Sequence, residues 1–257
     1  MSFRHTALRV LSYNIHKGFS GGIPKFTLHL MKEQIQKIHP DLIFLQEVHG
    51  EHTGHRRRIK NYPVESQIEY LAEKTWPHFS YGKNVVYQEG HHGNAILSKF
   101  PIVSWENLDV SQNRFERRGI LHAVIDLPNL NLGKSKPVHV LCTHLGLFEM
   151  DRKKQLARLI QRAKSHIPDG DPVIAAGDFN DWRRAATSPL AKELELEEAF
   201  LRLHGSHAKT FPSWLPALCL DRVYSRGFEV LQAQRLDAPE WSALSDHLPL
   251  WVEFVAK

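Results

Sequence analysis

The chain has 257 residues, of which 42% are hydrophobic and 24% charged, close to the globular average. That excludes a disordered polyelectrolyte and a bundle of membrane spans. The formal charge of +5, from 33 Lys+Arg against 28 Asp+Glu, biases the surface toward polyanions such as nucleic acid or acidic lipid headgroups without requiring either.

The first apolar run, LRVLSYNI (8–15), predicts a strand, and KFTLHLMKEQIQKI (25–38) carries apolar residues at helical spacing. DLIFLQEV (41–48) predicts the second strand. HGEHTGHRRRIKN (49–61) is basic, rich in histidine and without periodicity, which predicts an exposed loop. A helix follows in VESQIEYLAEKTW (64–76), then strands in GNAILS (93–98), ILHAVIDL (120–127) and VHVLCTHL (138–145). The turn-like DLPNLNLGKSKP (126–137) separates the last two as a hairpin would. MDRKKQLARLIQRAKSHI (150–167) places Leu156, Leu159, Ile160 and Ala163 on one helical face. Strands are expected again in PVIAAGDF (172–179), LDRVYS (220–225), FEVLQAQRL (228–236) and HLPLWVEFV (247–255). Strands alternating with helices, plus hairpins, predict mixed sheets covered by helices. No repeat, low-complexity tract or linker interrupts the chain, so one domain over 1–257 is expected.

Cys142 and Cys219 both lie inside apolar runs, where a free thiol packs as a small hydrophobe; no disulfide framework is implied and a reducing compartment fits. The N-terminal MSFRHTALRV has no signal-peptide pattern, and no window reaches 18 apolar residues, so a cytoplasmic location is expected.

Several strands end on a polar or ionisable residue. Asn14 follows VLSY, Glu47 follows LIFLQ, His144 follows VLCT, Asp178 and Asn180 follow VIAAG, and Asp221 sits in LCLDRVY; Asp246 and His247 open the last strand. A lone Asn or Asp there is usually a turn or cap residue. Six such ends together point to one crevice at the strand termini, the place where α/β folds bind ligands. Oxygen donors such as Glu47 and Asn14 suit a hard cation, Mg²⁺ or Mn²⁺. Asp178 and Asn180, two apart in a still-extended chain, would share a side, the carboxylate orienting water and the amide donating to an oxyanion. His247 can carry charge if a carboxylate such as Asp221 fixes its tautomer. Metal, activated water and cationic donors are the parts of phosphodiester hydrolysis.

The motifs SYNI (12–15), LQEV (45–48), GNAILS (93–98), THLG (143–146), GDFN (177–180), LDRVY (220–224) and SDHLP (245–249) resemble, in order and spelling, the endonuclease/exonuclease/phosphatase superfamily. The resemblance covers 8–255. It implies a four-layer α/β sandwich, two mixed β-sheets face to face with helices outside. It also implies that Glu47 is the principal metal ligand, with Asn14 beside it and Asp246 adding to the shell. Asp178 would orient or deprotonate the attacking water. Asn180 and His144 would contact the phosphate, and His247, paired with Asp221, would stabilise developing charge. Arg118, which precedes a strand as a phosphate-binding arginine does in DNase I-like relatives, joins the phosphate contacts. Abasic-site nucleases of the family carry a carboxylate where this chain has His16, which argues against that branch.

Three substrate readings follow. The first is a Mg²⁺- or Mn²⁺-dependent nuclease acting on DNA, supported by the basic balance and by RFERRG (114–119). The second is a phospholipid or sphingomyelin phosphodiesterase, which GNAILSKFPI resembles as much. Against it stands the absence of an aromatic docking loop, since FPSWLP (211–216) is expected to pack on the body. The third, a catalytically silent binding relative, needs a broken site, and every expected position is present. A monomer without a protein partner is expected. The histidines His49, His52, His55, His91 and His92 are expected at the surface rather than as ligands.

Overall fold

Parallel strand pairs occupy the centre of each of two sheets, and the rest of the architecture is built around them. The computed structural model describes residues 7–128 and 136–257; residues 129–135 of the predicted hairpin turn lie outside the described residues. In the first sheet the spatial order is β11 (Phe228–Arg235), β12 (Leu250–Ala256), β1 (Leu8–Asn14), β2 (Leu42–His52), β4 (Gly90–Ser98), β3 (His78–Tyr87). In the second it is β5 (Ile102–Asp109), β6 (Gly119–Ile125), β7 (Val138–His144), β8 (Val173–Asp178), β10 (Asp221–Arg226), β9 (Glu197–Glu198). Among the described residues, only β1/β2 and β7/β8 pair in parallel. Parallel neighbours need a crossover, and α1 (Leu28–Ile38) and α4 (Glu149–His166) supply it. The other helices are α2 (Thr53–Arg58), α3 (Gln67–Ala72), α5 (Thr187–Leu194), α6 (Ala199–His204) and α7 (Pro239–Ser242).

The inner faces of the sheets meet through Val10, Leu42, Phe44 and Ile96 on one side and Leu121, Val140, Ile174 and Val223 on the other. Outside the first sheet, Leu11, Ile43 and Leu45 pack under Leu28, Met31 and Ile35 of α1 and Ile68 and Leu71 of α3. Outside the second, Leu141, Ala175 and Tyr224 pack under Leu156, Leu159 and Ala163 of α4 and Leu190 of α5. The result is the four-layer sandwich. Helix ends follow local chemistry: Ser66 and Glu69 close a capping box on α3. In α4, Glu149 and Asp151 sit in the first turn and Lys164 and His166 in the last, matching the helix dipole.

Three strands carry no clear sequence signal, β3, β5 and the two-residue β9, and all are sheet edges; the residues of β3 and β5 are mostly half-buried or exposed. An edge strand has no second neighbour to bury it, so its apolar alternation is weak. The predicted basic loop 49–61 is a correction. His49–His52 continue β2 past a bulge to pair with β4, and α2 then begins, its N-terminus capped by the His52 ring accepting from the His55 N–H. The last predicted strand starts at Leu250, which leaves Asp246 and His247 in the preceding loop.

Gly177 has φ +142°, and a Cβ there would lie 2.0 Å from the Thr143 carbonyl oxygen on the adjacent strand. No side chain fits between β7 and β8 at this point. Gly177→Ala is expected to cost roughly 2–4 kcal/mol in denaturant unfolding. Gly205→Ala, at a left-handed helix end with nothing within 4 Å, should cost about 1 kcal/mol.

Candidate active site

Parallel pairing brings strand ends to one edge of each sheet. Asn14 ends β1 opposite Gln46 of β2, and His144 ends β7 opposite Asp178 of β8. Antiparallel β10 begins at that same edge, with Asp221 opposite Asp178, and β12 runs antiparallel to β1, so the loop leading into it delivers Asp246 and His247 there too. His144, Asp178 and Asp221 therefore stand side by side in register. Asn14, His144, Asp178, Asn180, Asp221 and His247 are linked by the contacts described below, and Arg118 and Glu47 share with His144 a cleft also lined by Asn84, His92, Asn94 and Arg117.

The two sheets touch through Asn14, whose Nδ2 donates to Asp178 Oδ2 at 3.1 Å, both side chains being buried. Ser245 Oγ donates to the Asn14 carbonyl at 2.8 Å, tying in the Asp246–His247 loop. Asp178 Oδ1 accepts the Asn180 N–H at 2.9 Å. The chain is not extended between these two, as the sequence suggested: β8 ends at Asp178 and Asn180 takes φ +47°. Asn180 Nδ2 donates to the Leu145 carbonyl at 2.8 Å, which also accepts Arg118 Nε at 3.1 Å. The second N–H of that amide stays available.

His247 Nδ1 lies 2.9 Å from Asp221 Oδ2, and its Nε2 lies 3.8 Å from Asp178 Oδ2. Thr210 Oγ1 donates to the same Asp221 oxygen. Burial disfavours charge on His247, but Asp221 and then Asp178 outweigh it and push the imidazole up to about 10. Burial, reinforced by Asp221 and opposed by His247, pushes Asp178 up to about 6. His144 Nε2 is 3.4 Å from Asp178 Oδ2; burial, with Arg118 adding, holds this imidazole well below its ordinary value, so it is neutral.

Glu47 does not end its strand. It sits in the β2 bulge with φ +55°, a local kink that re-aims a side chain. Its Oε2 accepts Lys17 Nζ at 2.5 Å. Burial opposes its charge, yet His144 and Lys17 hold the carboxyl well below the usual carboxylate range. With His144 neutral, Lys17 is the charge that remains at neutral pH. His16 (φ +44°) and Lys17 (φ +59°) share with Glu47 and Asn180 the left-handed backbone that L side chains rarely adopt. His16 Nδ1 lies 3.8 Å from Asp246 Oδ1. Lys17 and Thr210 are site neighbours to which the sequence reading assigned no role, and His92, expected at the surface, instead lines the cleft; Lys17 stands in the continuation of the SYNI run, HKG, whereas Thr210 carries no local signal.

The donors fit a divalent cation. Glu47, Asn14 and Asp246 offer oxygen only, and Glu47 already holds a cationic group. The buried trio Asp178, Asp221 and His247 also brings three ligand-type atoms within 4.8 Å, but an imidazole held protonated between two carboxylates has no lone pair to give.

Large apolar side chains close in sequence to site residues are exposed. Phe115 precedes Arg118, Leu147, Phe148 and Met150 follow His144, and Trp182 follows Asn180. The FPSWLP loop does not pack away as expected: Trp214 is 74% and Leu215 62% exposed, while the neighbouring Ser213 N–H donates to the Asp246 carbonyl.

The sequence profile of the Endonuclease/Exonuclease/phosphatase family matches residues 11–247, from inside β1 to His247. The chain belongs to the endonuclease/exonuclease/phosphatase family. Its members are hydrolases of phosphoester bonds that generally use divalent metals, and this chain is such a hydrolase. It is 44% identical over 247 residues, 96% of each chain, to the Uncharacterized protein YbhP of Escherichia coli K12. The fold is similar to an endonuclease/exonuclease/phosphatase from Beutenbergia cavernae (TM-score 0.76, 21% identity, 97% of this chain and 72% of that one). It is also similar to D. rerio TDP2 complexed with single-strand DNA product (TM-score 0.69, 18% identity, 97% and 99%). At those identities the likeness concerns the fold.

Proton NMR should find the His247 ring titrating near pH 10. Asp221→Asn removes the first charge that raises it, so the titration should move toward lower pH by more than about one unit. An unmoved value would detach Asp221 from His247.

Proposed function

We propose that this family member is a metal-dependent phosphodiesterase whose substrate is a phospholipid presented at an anionic bilayer surface. The observation that carries the lipid assignment is the exposure of large apolar side chains that neighbour site residues along the chain, from Trp182 at 49% to Phe115 at 85%. Interfacial proteins bury exposed side chains of this kind at the headgroup boundary. Arginines are interleaved: the Arg114 guanidinium lies 4.8 Å from the Phe115 ring and that of Arg183 4.6 Å from Trp182. Apolar side chains beside cations suit anionic lipid.

In this reading Glu47, Asn14 and Asp246 hold Mg²⁺ or Mn²⁺, which supplies Lewis-acid polarisation of a phosphoryl oxygen. Asp178, held by Asn14 and the Asn180 N–H, accepts the proton of the attacking water. His247, charged because Asp221 and Asp178 flank it, donates to a non-bridging oxygen as charge builds there. His144, Asn180 and Arg118 position the phosphate. Water attacks in line and one of the two ester oxygens leaves. Asp178 serves only as a carboxylate, so turnover falls as pH drops through about 6; His247 serves only as a cation, so turnover falls again as pH rises through about 10.

A nuclease is the second reading, favoured by Arg114, Arg117 and Arg118 and by aromatic rings that bases can stack on; a structural neighbour holds single-strand DNA product. It ranks second because Leu147, Met150 and Leu215 offer no ring for stacking.

Vesicles containing anionic phospholipid and supercoiled plasmid, each with Mg²⁺, separate the two. Hydrolysis in vesicles by the parent, lowered at least about 10³-fold in Asp178→Asn, is expected. Metal-dependent plasmid nicking with inert vesicles would give the site to nucleic acid. Replacing Leu147 and Phe148 together by Asp should weaken vesicle binding at least about tenfold and leave hydrolysis of a soluble phosphodiester unchanged. Glu47→Gln should raise the Mg²⁺ concentration needed for half-maximal turnover.

A further inference from the structure

A second group of ligand-type side chains lies where β2 runs into α2. One ring nitrogen from each of His49, His52 and His55 falls within 4.8 Å of the others. His49 and His52 are buried and His55 half-buried, against the surface placement the sequence suggested. The His49 ring centroid is 4.8 Å from that of His52 and 5.3 Å from that of His55, while His52 and His55 stack at 3.5 Å with 3° between planes. Phe19, Tyr62 and Tyr87 close around them.

Histidines buried only for packing would have their nitrogens satisfied. Here His55 Nδ1 is buried with no hydrogen-bond partner among the described residues, and so is Nδ1 of His92, whose ring is 6.1 Å from His49. His49 Nδ1 lies 3.1 Å from the Tyr62 hydroxyl, which Gln67 Nε2 contacts at 3.4 Å, so Nε2 is its free nitrogen. A ligating imidazole is held in this way, by an outer partner on its other nitrogen. His52 Nδ1 accepts the His55 N–H at 3.0 Å, so that ring carries a lone pair and is neutral.

From this geometry we infer that His49, His52 and His55 form a binding site for a borderline divalent transition metal of the Zn²⁺ type, separate from the oxygen-donor site at Glu47. An all-imidazole donor set suits Zn²⁺, Ni²⁺ or Co²⁺ and is a poor match for Mg²⁺. Three imidazoles leave a fourth position for water or His92. Loading changes the rings locally: stacked rings present parallel lone pairs, so one of the pair turns about its Cβ–Cγ bond, and His52 exchanges its helix-cap hydrogen bond for the metal. A bound ion ties the end of β2 to α2. His49 is two residues beyond Glu47 and His92 lines the cleft with Glu47, so the ion braces a wall of the active site.

Untagged protein, stripped with chelator, is titrated with Co²⁺ and Zn²⁺. With excess Mg²⁺ present to fill the oxygen-donor site, one equivalent of Co²⁺ with visible d–d absorption is expected, displaced by Zn²⁺, together with a Tm raised by Zn²⁺. Both signals should persist in Glu47→Gln and Asp178→Asn and disappear in His55→Ala, whose half-buried ring can be removed with the fold retained by circular dichroism. His52→Gln gives a second, less truncating variant with the same expectation. No saturable uptake by the parent overturns the site. So does uptake that survives both histidine substitutions, or that is lost in Glu47→Gln or Asp178→Asn, which would place the ion in the catalytic cleft.

Discussion

The Asn14–Asp178 hydrogen bond joins the two sheets at a point where the protein buries charge. A buried carboxylate is costly unless its oxygens are occupied. Asp178 meets that cost with an amide from one sheet, a main-chain N–H from its own loop and an imidazolium from a third segment. None of the three comes from the same stretch of chain, so the carboxylate can be accommodated only when β1, β8 and the loop before β12 are all in place. The site is in that sense a product of the sandwich closing, and its groups are held by packing on both outer faces.

The same arrangement sets the hydrogen-bonding of two acids on adjacent strands. Asp221 accepts from Thr210 and from His247, and Asp178 accepts mainly from neutral donors. Burial and the neighbouring Asp221 charge raise the proton affinity of Asp178, and His247 opposes them. A base with a raised proton affinity beside a donor held charged is the pairing that water activation and phosphate stabilisation require at neutral pH.

The sandwich and most of the cleft could be read from the sequence because they follow from central strands. Buried on both faces, β1, β2, β7 and β8 read as apolar runs, and a polar residue at the end of such a run is conspicuous. The edge strands β3 and β5 lack that contrast. The bulge at Glu47 was hidden because nothing in LQEV distinguishes a strand that stops from one that kinks and goes on. The histidine cluster was hidden for the same reason: once β2 was taken to end, His49 and His52 had to be surface residues. Trp214 failed in the opposite direction, since prolines on either side say that a segment turns but not which way its tryptophan faces.

Lys17 resolves what would otherwise be a conflict in the cleft. Glu47 lines the cleft with His144, and a buried carboxylate without a counter-charge would take up a proton. The ammonium at 2.5 Å keeps Glu47 ionised and aimed into the cleft, so the oxygen donors are already in the state a divalent cation binds. A single positive charge on a flexible four-carbon stem is also readily displaced, and once released it lies beside the region where a phosphate would carry its negative oxygens. The unusual backbone at His16 and Lys17 is therefore tied to the site's charge balance: the left-handed turn directly after Asn14 is what carries the lysine from the end of β1 back to the bulge of β2.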